Sequence, residues 1–113
     1  MVNPVGTPLR GEVWLCAFAP PIGPHPAVVL TVNRIARPLS AVSLVLVTGT
    51  EGPEETHVPI GADCGVKKHP ESYVNCTDLH TVDKVRLRRR LGLLSATELH
   101  SVENAIRMIL GLN

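Results

Sequence analysis

The sequence predicts a mainly β fold, a small twisted barrel or sheet capped by one C-terminal helix. Short runs of β-branched and aliphatic residues recur through the first two thirds of the chain, bounded by Pro and Gly. The pattern then changes to helical spacing near the end. With 113 residues and only three aromatic side chains, the chain can form one domain whose core consists mainly of Val, Leu and Ile.

Five segments have the length and composition of strands. They cover residues 11–18, 27–33, 42–49, 56–60 and 72–79. Pro59 in the fourth segment indicates an edge strand or a strand end, because proline cannot donate a backbone hydrogen bond. Residues 1–9, which contain two prolines, are expected to be a flexible lead-in, and residues 10–113 form the single domain.

The clearest helix lies at residues 95–111. Ser95 and Glu98 have the spacing of a capping box, apolar residues follow on one face, and Gly111 supplies a stop. Residues 82–92 also have the spacing of a short helical turn that a glycine ends. The polar stretch at residues 78–84 is then expected to join a strand to a helix.

Composition excludes several classes of protein. A net charge of +1 gives no global basic field, and so few aromatic rings argue against RNA binding by base stacking. The three cysteines lack the paired spacing of a zinc site, so free core thiols in a reducing cytoplasm are expected, without metal or cofactor. No apolar run is long enough to span a bilayer, and no nucleotide, zinc-protease or hydrolase motif is present.

Two segments contain candidate catalytic or anion-binding residues. The stretch "PPIGPHPAVVL" presents His25 where a proline-stiffened loop enters a strand, which suits either a functional group or a simple turn residue. Thr48 and Thr50 flank Gly49 at the end of a buried strand, where hydroxyl and backbone N–H groups could bind an anion or only water. The basic run at residues 84–90 could likewise be a binding patch or a solvated turn.

Several segments in register resemble the PemK/MazF endoribonuclease toxin family. They are "RGEVWLCAFAPPIG", "HPAVVLTVN", "VSLVLVTGT", "SYVNCTDLHTVDKVRLRRRLGLLS" and "ATELHSVENAIRMILGL". The resemblance covers about residues 10–112. It implies an SH3-like β-barrel, a fold shared with gyrase-inhibitor toxins, that forms a homodimer. It also implies cytoplasmic cleavage of single-stranded RNA without metal, by attack of the ribose 2′-OH on the adjacent phosphate, and a cognate antitoxin whose acidic flexible tail blocks the RNA groove.

The family's catalytic pair is an arginine before the proline of the second strand and a threonine that closes the third. Thr48 matches the threonine, whereas His25 stands at the arginine position. Histidine transfers protons near neutral pH, whereas arginine offers permanent charge. His25 and Thr48 are therefore the predicted catalytic residues. The resemblance gives as candidate RNA contacts Arg10, Thr50, Lys67, Lys68, His80 and Arg86.

Two other functions stay open at this stage. Without the arginine, the chain could be an inactive homologue that acts through antitoxin binding. It could also be a binding-only toxin of the gyrase-inhibitor type, although such toxins commonly use a tryptophan in the last helix and this chain ends in "MILGLN".

Overall fold

The computed structural model describes residues 7–112, and within them six β-strands form one antiparallel sheet followed by a C-terminal helix. The strands are β1 Glu12–Ala17, β2 Pro24–Val29, β3 Ala41–Thr48, β4 His57–Ile60, β5 Ser72–Asp83 and β6 Leu87–Leu93. The α-helices are α1 Asn33–Ala36 and α2 Ala96–Leu110, and 3₁₀ turns lie at Ala62–Cys64 and Lys84–Arg86. The strand order is β4-β5-β3-β2-β1-β6. The predicted class, mainly β with a C-terminal helix, is confirmed.

Apolar side chains cover both faces of the sheet. On one face, Val28 and Val45 pack with Val102 of α2 in the larger core cluster. On the other face, Trp14 and Leu44 belong to a second buried cluster. Because both faces are buried, the central strands are nearly continuous apolar runs rather than alternating ones.

The strands at the two ends of the sheet, β4 and β6, do not pair within the described residues, yet the chain brings them together by packing. The 3₁₀ turn Ala62–Cys64 follows β4 and contacts β6. Gly65 ends this turn with φ of +76°, and a side chain on it would overlap the Leu91 carbonyl. Only glycine permits both this backbone angle and this approach. Side-chain and backbone packing therefore completes a barrel-like shape without a closed hydrogen-bond ladder.

The prediction of a helical turn at residues 82–92 is wrong. β5 continues to Asp83, one 3₁₀ turn follows, and β6 occupies Leu87–Leu93. Leu87 and Leu91 have helical spacing, but the segment pairs with β1 at the edge of the sheet. Tertiary pairing has overridden the local pattern. The exposed arginines between the two leucines suit an edge strand, where charge discourages pairing with another chain.

The C-terminal helix has the predicted ends. The Ser95 hydroxyl accepts from the Glu98 N–H at 3.0 Å, and the Glu98 carboxylate accepts from the Ser95 N–H at 2.8 Å. Gly111 follows the last helical residue as predicted. Both signals are local, which explains why the sequence alone reveals them.

The second strand begins earlier than the sequence indicates. β2 starts at Pro24 rather than residue 27, so His25 lies inside the strand and not in the preceding loop. The strand ends at Val29, and the chain then forms the short helix α1, which the sequence pattern did not predict. Most of the predicted lead-in at residues 1–9 lies outside the described residues. Within them, Pro8 is buried.

Candidate active site

His25 is held at the end of β2 between two neighbouring strands. In the register with β1 it stands opposite Cys16. The ladder with β3 pairs Ala27 with Leu46, and two residues further along each strand are His25 and Thr48. The His25 Nε2 atom lies 2.6 Å from the Val47 carbonyl oxygen. Strand pairing therefore brings together the two predicted catalytic residues, which are 23 positions apart in the sequence.

The hydrogen bond to Val47 fixes which nitrogen of His25 can act. A carbonyl oxygen only accepts, so Nε2 carries a hydrogen and donates it. In the neutral ring, Nδ1 is then the unprotonated nitrogen and can accept a proton. The half-buried ring of His25 thus presents an oriented base at the strand end.

Thr48 closes β3, and the chain turns directly after it. The Thr48 Oγ1 atom accepts a hydrogen bond from the Thr50 N–H at 3.1 Å, which orients the hydroxyl. Gly49 and Thr50 are exposed. The Thr48 hydroxyl can still donate its own hydrogen, so this turn can present a donor to an anion at the protein surface.

A second histidine, which sequence reasoning did not select, lies at the same turn. A methyl group built on Gly49 would be 2.8 Å from His69 Nε2 and closer still to two ring carbons, so the ring packs directly on the Gly49 backbone. The Ser72 hydroxyl lies 3.3 Å from His69 Nδ1. The only sequence signal is a histidine in the loop before β5, and its position depends on the pairing of β5 with β3.

A basic cavity lies further along β2, and neither His25 nor Thr48 lines it. It has a volume of about 490 Å³ and is bordered by Pro26, the residue after His25. Four basic side chains line it: Lys67, Lys68, Arg89 and Arg90. The Arg90 guanidinium is paired with the buried Glu12 at 2.6 Å, so the other three cations carry the free positive charge. This cavity is suited to a phosphate backbone.

His80 and Arg86 lie in a different cavity, of about 500 Å³. His80 pairs with Leu44, four residues before Thr48, which places it about 13 Å away along β3. Its Nε2 atom is 2.7 Å from an Asp78 carboxylate oxygen, and Arg86 donates to the Ala17 carbonyl at 2.8 Å. His80 is therefore not next to His25, whereas Arg86 contacts Ala17, whose partner on β2, Pro24, precedes His25.

Arg10 lies beside the C-terminal helix. Its guanidinium donates to the Leu30 carbonyl and forms an ion pair with Glu103 of α2. The Gly11 N–H bonds to the Val29 carbonyl, four residues along β2 from His25, a distance of about 13 Å. Arg10 is thus placed between strand and helix rather than at the strand end that carries His25.

The cysteine thiols are buried and unreactive in character. Burial raises the pKa of the Cys76 thiol to about 11, and it also raises the pKa of Cys16 despite the opposing field of nearby arginines. Both thiols therefore stay protonated at neutral pH. Cys64 is buried as well. Across residues 7–112, no three His, Cys, Asp or Glu side chains cluster as metal ligands would.

The fold is that of one class of toxin. Residues 9–110 match the family described as PemK-like, MazF-like toxin of type II toxin–antitoxin system. The match covers nearly the whole chain, and the chain belongs to this family. The resemblance that the sequence motifs carry is thereby confirmed.

Named relatives agree with this assignment. The chain is 30% identical over 102 residues to "Probable endoribonuclease MazF2" of Mycobacterium tuberculosis, covering 90% of this chain and 97% of that protein. It is 29% identical to "Endoribonuclease MazF" of Staphylococcus epidermidis, with 92% of each covered.

Solved structures share the fold. An endoribonuclease in complex with its cognate antitoxin, from a mycobacterial species, superposes with a TM-score of 0.79 at 27% identity, covering 94% of this chain and 97% of that chain. The Mycobacterium tuberculosis toxin MazF-mt6 gives a TM-score of 0.80 over 90% of this chain and 98% of that chain, at 24% identity. No helix in residues 7–112 is long and apolar enough to cross a membrane.

Proposed function

We propose that this chain is a sequence-specific endoribonuclease toxin that cleaves single-stranded RNA without a metal ion. The ribose 2′-OH attacks the adjacent phosphate, which leaves a 2′,3′-cyclic phosphate and a free 5′-OH. The observation that carries the proposal is the meeting of His25 and Thr48 at paired strand ends. A basic cavity bordered by Pro26, the residue after His25, supports it. Relatives named as endoribonucleases over nearly the full chain support it.

His25 acts as the general base in this proposal. Its Nδ1 atom accepts the 2′-OH proton while Nε2 stays bonded to the Val47 carbonyl. Histidine is suited to this task because imidazole titrates close to cellular pH, whereas an arginine at this position would remain protonated. The exchange of the family arginine for His25 therefore favours proton transfer over fixed charge.

Thr48 stabilises the charge that develops on phosphorus. Its hydroxyl accepts from the Thr50 N–H, so its own hydrogen is free to donate to a phosphoryl oxygen. Lys67, Lys68 and Arg89 supply positive charge in the neighbouring cavity. Base, donor and cations all come from side chains, and the proposal therefore requires no metal.

RNA and an antitoxin would bind to the same surface. The basic cavity would take the RNA backbone, and an antitoxin with an acidic flexible tail would compete for it. A solved relative in complex with its cognate antitoxin supports this part of the proposal. As a toxin of this kind, the chain would act as a homodimer and inhibit translation and growth.

The test is cleavage of a long single-stranded RNA by the purified chain in EDTA. We expect discrete fragments whose 5′ ends accept phosphate from a kinase without prior phosphatase treatment, because they carry 5′-OH groups. Thr48→Ala should cut about 10²–10³ times more slowly, and Thr48→Ser should keep most of the rate because it keeps the hydroxyl. His100→Ala, at a mostly exposed histidine on α2, is the matched control for histidine variants.

Three results would overturn the proposal. No cleavage together with tight antitoxin binding would make the chain an inactive homologue that acts through its partner. Fragments with 5′-phosphate ends, or cleavage that EDTA abolishes, would show a different chemistry.

A further inference from the structure

Three neighbouring strands place side chains on one face of the sheet at the end of β3. Ala27 and Leu46 both belong to the second buried cluster. His25 and Thr48 lie two residues away from them on the same strands and therefore face the same side. Thr48 pairs directly with Tyr73 of β5, and directly paired residues project from the same face with Cβ atoms about 4.5–5.5 Å apart. His25 and Tyr73 therefore flank Thr48 from its two neighbouring strands.

Tyr73 differs in exposure from the two other aromatic residues of the chain. Trp14 and Phe18 are 4% and 7% exposed and belong to the second buried cluster. Tyr73 is half-buried and belongs to neither cluster of core residues. Core packing therefore does not account for its ring, and the ring is accessible to a molecule that lies on Thr48.

The hydroxyl of Tyr73 is engaged and does not suit acid–base chemistry. It donates to a Glu71 carboxylate oxygen at 2.6 Å. This hydrogen bond is the main cause of a Tyr73 pKa raised to about 12, and the negative charges of Glu71 and Glu51 add to it. The phenol therefore stays protonated at neutral pH, and the carboxylates near it repel a phosphate. What Tyr73 offers to a nucleic acid is the face of its ring.

Cleavage by the 2′-OH gives the bound RNA strand a direction across these three residues. The attacking and leaving oxygens lie roughly in line through phosphorus. His25 accepts the proton of the attacking 2′-OH in the proposed reaction, so the nucleotide that carries this hydroxyl lies on the β2 side of Thr48. The leaving O5′ and its nucleotide then lie on the β5 side, where Tyr73 projects.

We propose that Tyr73 stacks the base of the nucleotide on the 3′ side of the cleaved bond. The inference rests on the proposed ribonuclease function and adds a base-binding residue to it. Every nucleobase has a face that stacks on an aromatic ring, so Tyr73 holds the leaving nucleotide in line without selecting its identity. The bond from its hydroxyl to Glu71 restrains the ring in one orientation.

The experiment measures binding of an RNA that cannot be cut. Once the cleavage position is mapped on a long RNA, an oligonucleotide is made with a 2′-deoxy sugar in place of the attacking nucleotide's ribose, and a second one also lacks the base on the 3′ side of the bond. Fluorescence anisotropy gives the Kd of each for the wild type and Tyr73→Ala. We expect Tyr73→Ala to bind the complete oligonucleotide about 5–100 times more weakly than the wild type. Without the 3′ base, the two proteins should bind within about threefold of each other, because the ring then has no base to stack on.

Two controls separate stacking from other effects of the substitution. Tyr73→Phe keeps the ring and loses the hydroxyl with its bond to Glu71, and it should bind the complete oligonucleotide within about threefold of the wild type. A third oligonucleotide lacks the base on the 5′ side of the bond instead. Loss of that base should weaken binding by the same factor in the wild type and in Tyr73→Ala, because this base lies on the β2 side.

Different results separate this inference from the proposed function. If the wild type cuts no RNA, the ribonuclease proposal itself fails. If the wild type cuts and Tyr73→Ala binds the complete oligonucleotide within about threefold of it, Tyr73 does not stack a base. A loss of affinity in Tyr73→Ala that is equal with and without the 3′ base would also overturn the inference, since it would mark a purely structural effect. A loss that depends on the 5′ base instead would contradict the direction of the strand.

Discussion

Glu12 is a buried carboxylate whose loss should destabilise the fold. Its Oε1 atom accepts from the Leu9 N–H at 2.7 Å and from Trp14 Nε1 at 3.0 Å, and Oε2 pairs with Arg90 at 2.6 Å. Groups from the segment before β1, from β1 and from β6 thus share one side chain. The change to examine is Glu12→Ala.

The size of the effect follows from what each partner loses. Trp14 is 4% exposed, so its unpaired indole N–H costs about 1–3 kcal/mol, and the part-buried Leu9 N–H about 1 kcal/mol more. The Arg90 side chain is 49% exposed, so water replaces its pair at a cost of at most about 1 kcal/mol. We expect Glu12→Ala to lower the free energy of unfolding by about 3 kcal/mol.

Urea unfolding followed by circular dichroism measures this loss. The midpoint should fall with an unchanged m-value, and Tm should fall by about 10–15 °C. Glu12→Gln, which keeps an acceptor for Trp14, is the matched control and should cost about 1 kcal/mol. A change within about 0.5 kcal/mol for Glu12→Ala would refute the reasoning, because that is the effect of an ordinary surface substitution.

Three further predictions follow from the same structure. Lys67→Gln and Lys68→Gln should each flatten the salt dependence of single-stranded RNA binding by about 0.7 in log–log slope, measured by fluorescence anisotropy; unchanged slopes would remove them from the RNA path. Arg10→Met should cost about 1–2 kcal/mol of stability through its lost partner Glu103, with the slope unchanged; a flatter slope would instead make Arg10 an RNA contact. The Cys16 and Cys76 thiols, whose pKa values are raised by burial, should resist iodoacetamide at neutral pH until the chain is unfolded, and rapid labelling of the folded chain would contradict this.

Local signals account for what the sequence predicted correctly. The capping box of Ser95 and Glu98 and the β-branched runs act within a few residues, so α2 and the central strands can be located without tertiary knowledge. β6 could not be located this way. Its character depends on pairing with β1, more than 70 residues earlier, while its leucines have helical spacing.

The site residues also differ in whether local sequence signals could reveal their positions. Thr48 was expected at a strand end because the apolar run before it ends there. The position of His69 could not be predicted from the sequence. Its ring reaches the turn because the β3–β5 register contains a shift and because Gly49 has no side chain to exclude the ring. Arg10 looked like a free cation in the sequence, but its partner Glu103 lies 93 residues away.

The central claim is that His25, which stands at the position of the family arginine, accepts the 2′-OH proton in the cleavage reaction. The direct measurement is the single-turnover rate of RNA cleavage against pH for the wild type and His25→Ala. We expect the wild-type rate to fall along an acid limb as the pH is lowered, because a protonated ring cannot accept the 2′-OH proton. His25→Ala should lose that limb and about 10²–10⁴ of the rate. A His25→Ala chain that cuts at the wild-type rate with the same pH profile would contradict the claim.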